Sequence, residues 1–248
     1  MQHLKNLFFI FLSAWATLSG CNCKKNIPSP DAEIKLRMRQ TVDGKLLTLG
    51  SMQYTNASGN LYEVNVLKYY LSNFEFQNQN GVKTNLPAYL IFDGKDQISA
   101  VEVLGKLKND TYTQLTIHLG VDSVRNHTGT QDGALDPMHG MFWVWSSGYI
   151  FFKHEGTFRN ASGANQALRF HLGTDTAYTP IEIPLNLEVK GVAKTITMEF
   201  NLNEVYTNPF NINFDYNNDN QSTSPADGLW VSTMRTNIKS AFTVKSIE

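Results

Sequence analysis

The sequence predicts an all-β domain, an antiparallel β-sandwich of the immunoglobulin-like or jelly-roll-like kind with one or two short helices near its C-terminus. Three observations point there. Short runs alternate apolar and polar residues with period two; Gly, Asn and Asp punctuate them; and no long helical periodicity separates them.

The first element lies within residues 33–39, where Ile34, Leu36 and Met38 alternate with charged neighbours, the pattern of a strand with one buried face. Further β-like runs follow at 61–76, 89–92, 113–119, 141–145, 149–154, 168–172, 181–189 and 195–202. Turn chemistry at Asn80-Gly81, Asp93-Gly94, Gly173 and Lys190-Gly191 divides them. Ser224-Pro225 followed by Ala226-Asp227 offers an N-cap, a first-turn proline and an early acid, so a short helix is expected within 225–241. A shorter helical turn is expected around 203–208.

Ahead of these elements, Lys5 precedes an apolar run at 7–12, and Leu18-Ser19-Gly20-Cys21 follows. That order reads as a secretory signal peptide over residues 1–20 ending in a lipobox, with an apolar stretch too short to be a permanent span. Cys21 is then the residue to be acylated. Residues 21–32, with Pro28 and Pro30, read as a lipidated tether, and 33–248 as one domain. The expected address is the cell envelope: a lipid anchor in the outer or inner membrane, with the domain facing the periplasm or the exterior. Cys23 is the one thiol left after acylation, so no internal disulfide can form and stability must come from burial.

The formal net charge is −1, and the sequence has no basic run beyond Lys24-Lys25. Nucleic-acid binding needs clustered Lys and Arg and is disfavoured. Catalytic signatures are missing as well: there is no G-x-S-x-G elbow, phosphate-binding glycine loop, H-E-x-x-H or C-x-x-C. The chain is expected not to be an enzyme.

Residues 133–149 form an aromatic-dense stretch in which period two puts Trp143 and Trp145 on one face, Phe142 and Val144 on the other. Packing in a sandwich core is the plainer use of such indoles. Two histidines share one setting, Ile117-His118-Leu119-Gly120 and Phe170-His171-Leu172-Gly173. Alternation turns each away from its apolar neighbours, and imidazole is a common metal ligand, although a lone strand-end histidine is more often solvated or hydrogen-bonded. His154 shares a face with Ile150 and Phe152 and reads as partly buried, held by one hydrogen bond. His139 and His127 fall in loops, from which histidine can also ligate. Asp122, Ser123, Asn126, Asp132 and Asp136 make an oxygen-rich loop that could suit calcium, without EF-hand spacing.

Ordered blocks of this sequence resemble the MbnP-like domain of extracytoplasmic copper-binding proteins. They are Val66-Leu67-Lys68-Tyr69-Tyr70-Leu71-Ser72-Asn73, Gly120-Val121-Asp122-Ser123, Gly133-Ala134-Leu135-Asp136-Pro137, the run from Gly140 to Ile150 with Lys153 and Glu155-Gly156, and Phe170-His171-Leu172-Gly173. The resemblance implies a β-sandwich that binds copper through two histidines and a tryptophan, which a partner haem peroxidase oxidises to kynurenine. It makes His171 the leading ligand and Trp143 the tryptophan to be oxidised, with Trp145 as substitute. The second histidine is open among His118, His139 and His154, with His118 first because its setting mirrors that of His171. The rival expectation is a non-enzymatic surface binding or structural module, calcium-stabilised in one version, whose indoles and imidazoles only pack.

Overall fold

The computed structural model describes residues 30–143, 148–222 and 227–248. The expected signal peptide, Cys21, Trp145 and the expected Ser224-Pro225 cap therefore lie outside the described residues.

Among the described residues thirteen strands run in the order β1 (Ala32–Val42), β2 (Lys45–Leu46), β3 (Tyr54–Thr55), β4 (Leu61–Asn78), β5 (Lys83–Asp93), β6 (Glu102–Leu107), β7 (Asp110–Leu119), β8 (Ile150–Arg159), β9 (Asn165–Gly173), β10 (Thr179–Val189), β11 (Lys194–Asn201), β12 (Asp219–Gln221) and β13 (Phe242–Ile247). Helix α1 (Ser123–Asn126) follows β7, and α2 (Gly228–Ile238) precedes β13. Single 3-10 turns occur at Gly133–Leu135, Pro137–His139, Asp175–Ala177 and Leu202–Tyr206. The late helix and the turn near 203–208 are where the sequence put them, although the N-cap of α2 is Asp227, whose side chain makes no capping bond.

The strands form two sheets, one of β13, β11, β1, β2 and β6, the other of β10, β7, β4, β8, β9, β12, β3 and β5. Alternation does in β1 what the pattern dictates: Ile34, Leu36 and Met38 are fully buried between half-buried charged residues. Aromatic contacts join the sheets across the core, Tyr69 with Phe200 at 4.7 Å and with Phe242 at 5.8 Å, and Phe152 with Phe200 at 6.3 Å. The sandwich is thus as expected, with one departure. The sheets are mixed, because β1 pairs β11 and β12 pairs β9 in parallel. A parallel pair needs a crossover rather than a hairpin, and local alternation carries no trace of which distant strand completes a ladder.

Strand β4 organises the larger sheet. Tyr69 pairs both Phe92 and Phe152, and Leu71 pairs both Leu90 and Leu119. β5 therefore lies along one edge of β4, while β8 and then β7 share the other. The expected strand at 141–145 is corrected to a single bridge, Phe142 to Tyr149, flanked by Trp143 N–H donating to Gly148 O at 2.9 Å. That short bridge returns the chain directly into β8, and residues 144–147 lie outside the described set.

Candidate functional site

On the outer face of the larger sheet, register aligns Asp93, Lys68, Lys153, His171 and Gln221 in one row across β5, β4, β8, β9 and β12. Side chains paired in register share a face, so Lys68 and Lys153 are like charges placed side by side, which is unfavourable unless compensated. Asp93 Oδ2 lies 3.2 Å from Lys68 Nζ, and Glu155 Oε1 lies 3.4 Å from Lys153 Nζ. Both ammonium groups also donate to the loop above, Lys68 to His139 O at 2.9 Å and Lys153 to Gly140 O at 3.4 Å. The row thereby ties down the backbone just ahead of Trp143.

Trp143 is 5% exposed, and its indole lies 5.8 Å from the imidazole of His171, ring planes at 60°. A Cβ on Gly173 would come within 2.9 Å of Trp143 Nε1 and 2.8 Å of Tyr149 O, so the glycine of His-Leu-Gly is the seat of the indole. His171 Nε2 is 2.8 Å from Glu155 Oε1, while Nδ1 is buried with no hydrogen-bond partner among the described residues. Burial pushes the His171 pKa down, and the upward pull of Glu155, with a smaller one from Gln221, does not restore it. The ring is therefore neutral near pH 7 and keeps a lone pair. Burial by itself would raise Glu155, but the His171 hydrogen bond and Lys153 more than offset that and hold the carboxyl below its ordinary value.

Trp143 also lines a surface cavity of 310 Å³ with Asn126, His127, Gly148, Thr174, Asp175 and Thr176. His127 Nε2 sits 2.9 Å from Asp175 Oδ2, and the same carboxylate accepts from Ser123 Oγ at 2.6 Å and Asn126 Nδ2 at 2.9 Å. Burial raises Asp175, and these donors outweigh it, leaving its pKa lowered. One carboxylate–imidazole pair, Glu155–His171, thus lies against the indole, and a second, Asp175–His127, lines the cavity on which Trp143 also opens.

The other histidines do not join them. His118 Nδ1 donates to Asn73 O at 2.9 Å, and its ring stacks on Tyr178 at 4.9 Å and 9°. It pairs with Ser72, whereas the His171 row meets β4 at Lys68, an offset of roughly 14 Å between backbones by strand geometry. One ion cannot bridge that span. His154 points into the core between the sheets, opposite to His171; it is fully buried, its Nδ1 is hydrogen-bonded by the Tyr206 hydroxyl, and burial lowers its pKa to about 3. Its Nε2 also has no partner among the described residues, but Tyr62, Phe170 and Tyr206 surround the ring. His139 lies in the exposed loop and donates from Nε2 to Gly133 O at 3.0 Å. His127 lines this cavity because α1 and the residue after it are tied to Asp175, a placement that no pattern in its own loop marks.

Asp122 and Asp136 of the oxygen-rich loop serve local hydrogen bonds. Asp122 caps α1, accepting from Arg125 N at 3.3 Å, from Asn73 Nδ2 at 3.3 Å and from the Tyr89 hydroxyl, and Asp136 accepts from Met138 N at 2.8 Å to cap the next turn. Among the described residues no three His, Cys, Asp or Glu side chains gather into a set that could hold a metal. The imidazole of His171 fits one nitrogen ligand for copper, and His118, His139 and His154 do not supply a second beside it.

A family model described as MbnP matches residues 31–224. Among solved structures, the fold is similar to that of MbnP from Methylosinus trichosporium, at 13% identity and a TM-score of 0.49, with 72% of this chain and 78% of that one covered. No curated protein matches.

Proposed function

Since this chain belongs to the MbnP family, we propose that it is a copper-handling protein whose chemistry is centred on Trp143 and His171. One observation carries the reading: a neutral imidazole, packed on an indole, with its Nδ1 buried and without a partner among the described residues. An unsatisfied buried acceptor costs about 1–3 kcal/mol, which ligation of a cation would offset. Nitrogen donors of this kind suit copper in either common oxidation state.

The second imidazole of the proposed site is His127, because it lines the same cavity as Trp143. Indole nitrogen is a poor donor, whereas kynurenine would present an aniline nitrogen. Oxidative opening of the Trp143 pyrrole ring, with peroxide reduced to water at a haem peroxidase partner and the indole C2 carbon then leaving by hydrolysis as formate, would therefore complete a nitrogen-rich set. Copper, when bound, supplies a Lewis-acidic, one-electron redox centre. The protein's residues bind and orient it: Gly173 admits the indole, the lysine row fixes the loop before it, and Glu155 and Asp175 hold the two rings. The role is non-enzymatic, and a lipid on Cys21 would keep the domain at the membrane.

Copper content of purified mature protein tests this beside His171→Ala, His127→Ala and His118→Ala. The reading expects about one copper in the wild type and in His118→Ala, and loss in the other two. Equal, negligible copper in wild type and His171→Ala removes it and leaves a packing module. Mass spectrometry of the Trp143 peptide from the native host reports separately on kynurenine.

A further inference from the structure

A neutral imidazole carries its proton on one of two nitrogens, and only the bare nitrogen can ligate a metal. For His171 the choice rests with the groups at its two edges. Nε2 faces Glu155 Oε1 at 2.8 Å. An ionised carboxylate has no hydrogen to give, so the ring is the donor there and its proton sits on Nε2. Nδ1, the buried atom without a partner among the described residues, is then the bare nitrogen.

The surroundings keep Glu155 free for this bond. Arg169 is its register partner across β8 and β9, and an Arg–Glu pair would be the ordinary outcome. The Arg169 guanidinium instead binds Asp219, through Nε at 2.8 Å and Nη2 at 2.6 Å. Lys153, beside His171 in the row, places its ammonium 3.4 Å from the same Glu155 oxygen and keeps that oxygen charged. On the other side of His171, Gln221 is the register neighbour, a neutral amide whose pull on an imidazole proton is weaker than that of a carboxylate.

We propose that Glu155 sets the tautomer of His171, holding the ring proton on Nε2 so that Nδ1 is the nitrogen available to a metal, with Lys153 and the Arg169–Asp219 pair keeping the carboxylate committed to this task. Glu155 is a positioning residue: it acts through His171. The metal half of the proposal rests on reading His171 as a ligand; the tautomer half does not.

The experiment is a nitrogen-15 imidazole spectrum of the metal-free mature protein, which distinguishes the two tautomers by the shifts of Nδ1 and Nε2. Wild type is expected to show the Nε2–H form of His171. Glu155→Gln, of equal size, is expected to give a mixture of both forms, and its Cu(I) affinity in a chelator competition is expected to fall about 10- to 100-fold, the usual effect of removing a carboxylate behind a ligating histidine. Lys153→Met serves as a second variant should Glu155→Gln not fold, with a smaller shift of the same direction. An unchanged Nε2–H signal in Glu155→Gln overturns the proposal, as does a shift produced by Gln221→Leu instead. A shifted tautomer in a protein whose wild type takes up no copper upholds the assignment of Glu155 and sinks only the ligand reading.

Discussion

Two segments of this chain share one local design and end in opposite states. Ile117-His118-Leu119-Gly120 and Phe170-His171-Leu172-Gly173 each close a strand of the larger sheet, and each glycine makes room for an aromatic ring. A Cβ on Gly120 would strike Phe151 Cδ2 at 2.3 Å, as one on Gly173 would strike Trp143 Nε1 at 2.9 Å. The histidines then part company. His118 is occupied by the Asn73 carbonyl and stacked on Tyr178, whereas His171 meets a carboxylate at one nitrogen and nothing among the described residues at the other. A motif of four residues determines where a ring leaves a strand; its chemistry depends on what the rest of the fold brings to it.

The sharpest way to break this contrast is copper binding. His171→Ala is expected to abolish uptake while His118→Ala leaves it intact, measured by metal content after gel filtration; equal losses in both would erase the distinction. Next in size come the glycines. Gly120→Ala combines a φ of +102° with a ring overlap and is expected to cost roughly 2–5 kcal/mol in urea unfolding. Gly173→Ala lacks the positive φ, and overpacking alone should cost about 1–3 kcal/mol while disturbing the Trp143 fluorescence environment.

His154 extends the comparison to the inner face. Its folded pKa of about 3 lies below the ordinary 6.5, so the unfolded chain takes up the proton first as acid is added. Its contribution to stability is complete above pH 6.5 and is lost as pH falls toward 3, by at most about 1.4 kcal/mol per pH unit. Between pH 6.5 and 5 the stability of His154→Gln should be flatter with pH than that of the wild type, and parallel curves would contradict the burial argument. Smallest is the stability cost of His118→Ala itself. Losing one half-buried hydrogen bond and a stacking contact should lower the unfolding free energy by about 0.5–1.5 kcal/mol.

Much of this architecture is readable without coordinates. The alternation of Ile34, Leu36 and Met38 identifies β1 and its inward face, and the turn pairs at Asn80-Gly81 and Asp93-Gly94 locate breaks that exist. His171 and Trp143, chosen through the family resemblance, do touch. The choice of His118 as partner rested on symmetry of setting, and symmetry of setting says nothing about register: a four-residue offset along β4 separates it from the row that holds His171. No local pattern marks His127, because it comes to line a cavity with Trp143 only through the fold of distant loops.

The class of fold and the faces of the strands follow from the sequence alone, because each depends on neighbours within a few residues, whereas the rings that demand glycine at 120 and 173, Phe151 and Trp143, come from distant stretches of the chain. Tertiary structure alone decided that β1 and β11 run parallel, that Asp93, Lys68, Lys153, His171 and Gln221 share one row, and that Glu155 rather than a carbonyl meets the imidazole of His171. Those outcomes depend on which distant strand completes each ladder and in what register. Every residue type except proline offers the ladder the same backbone donor and acceptor, so the choice is made by packing across the whole sandwich.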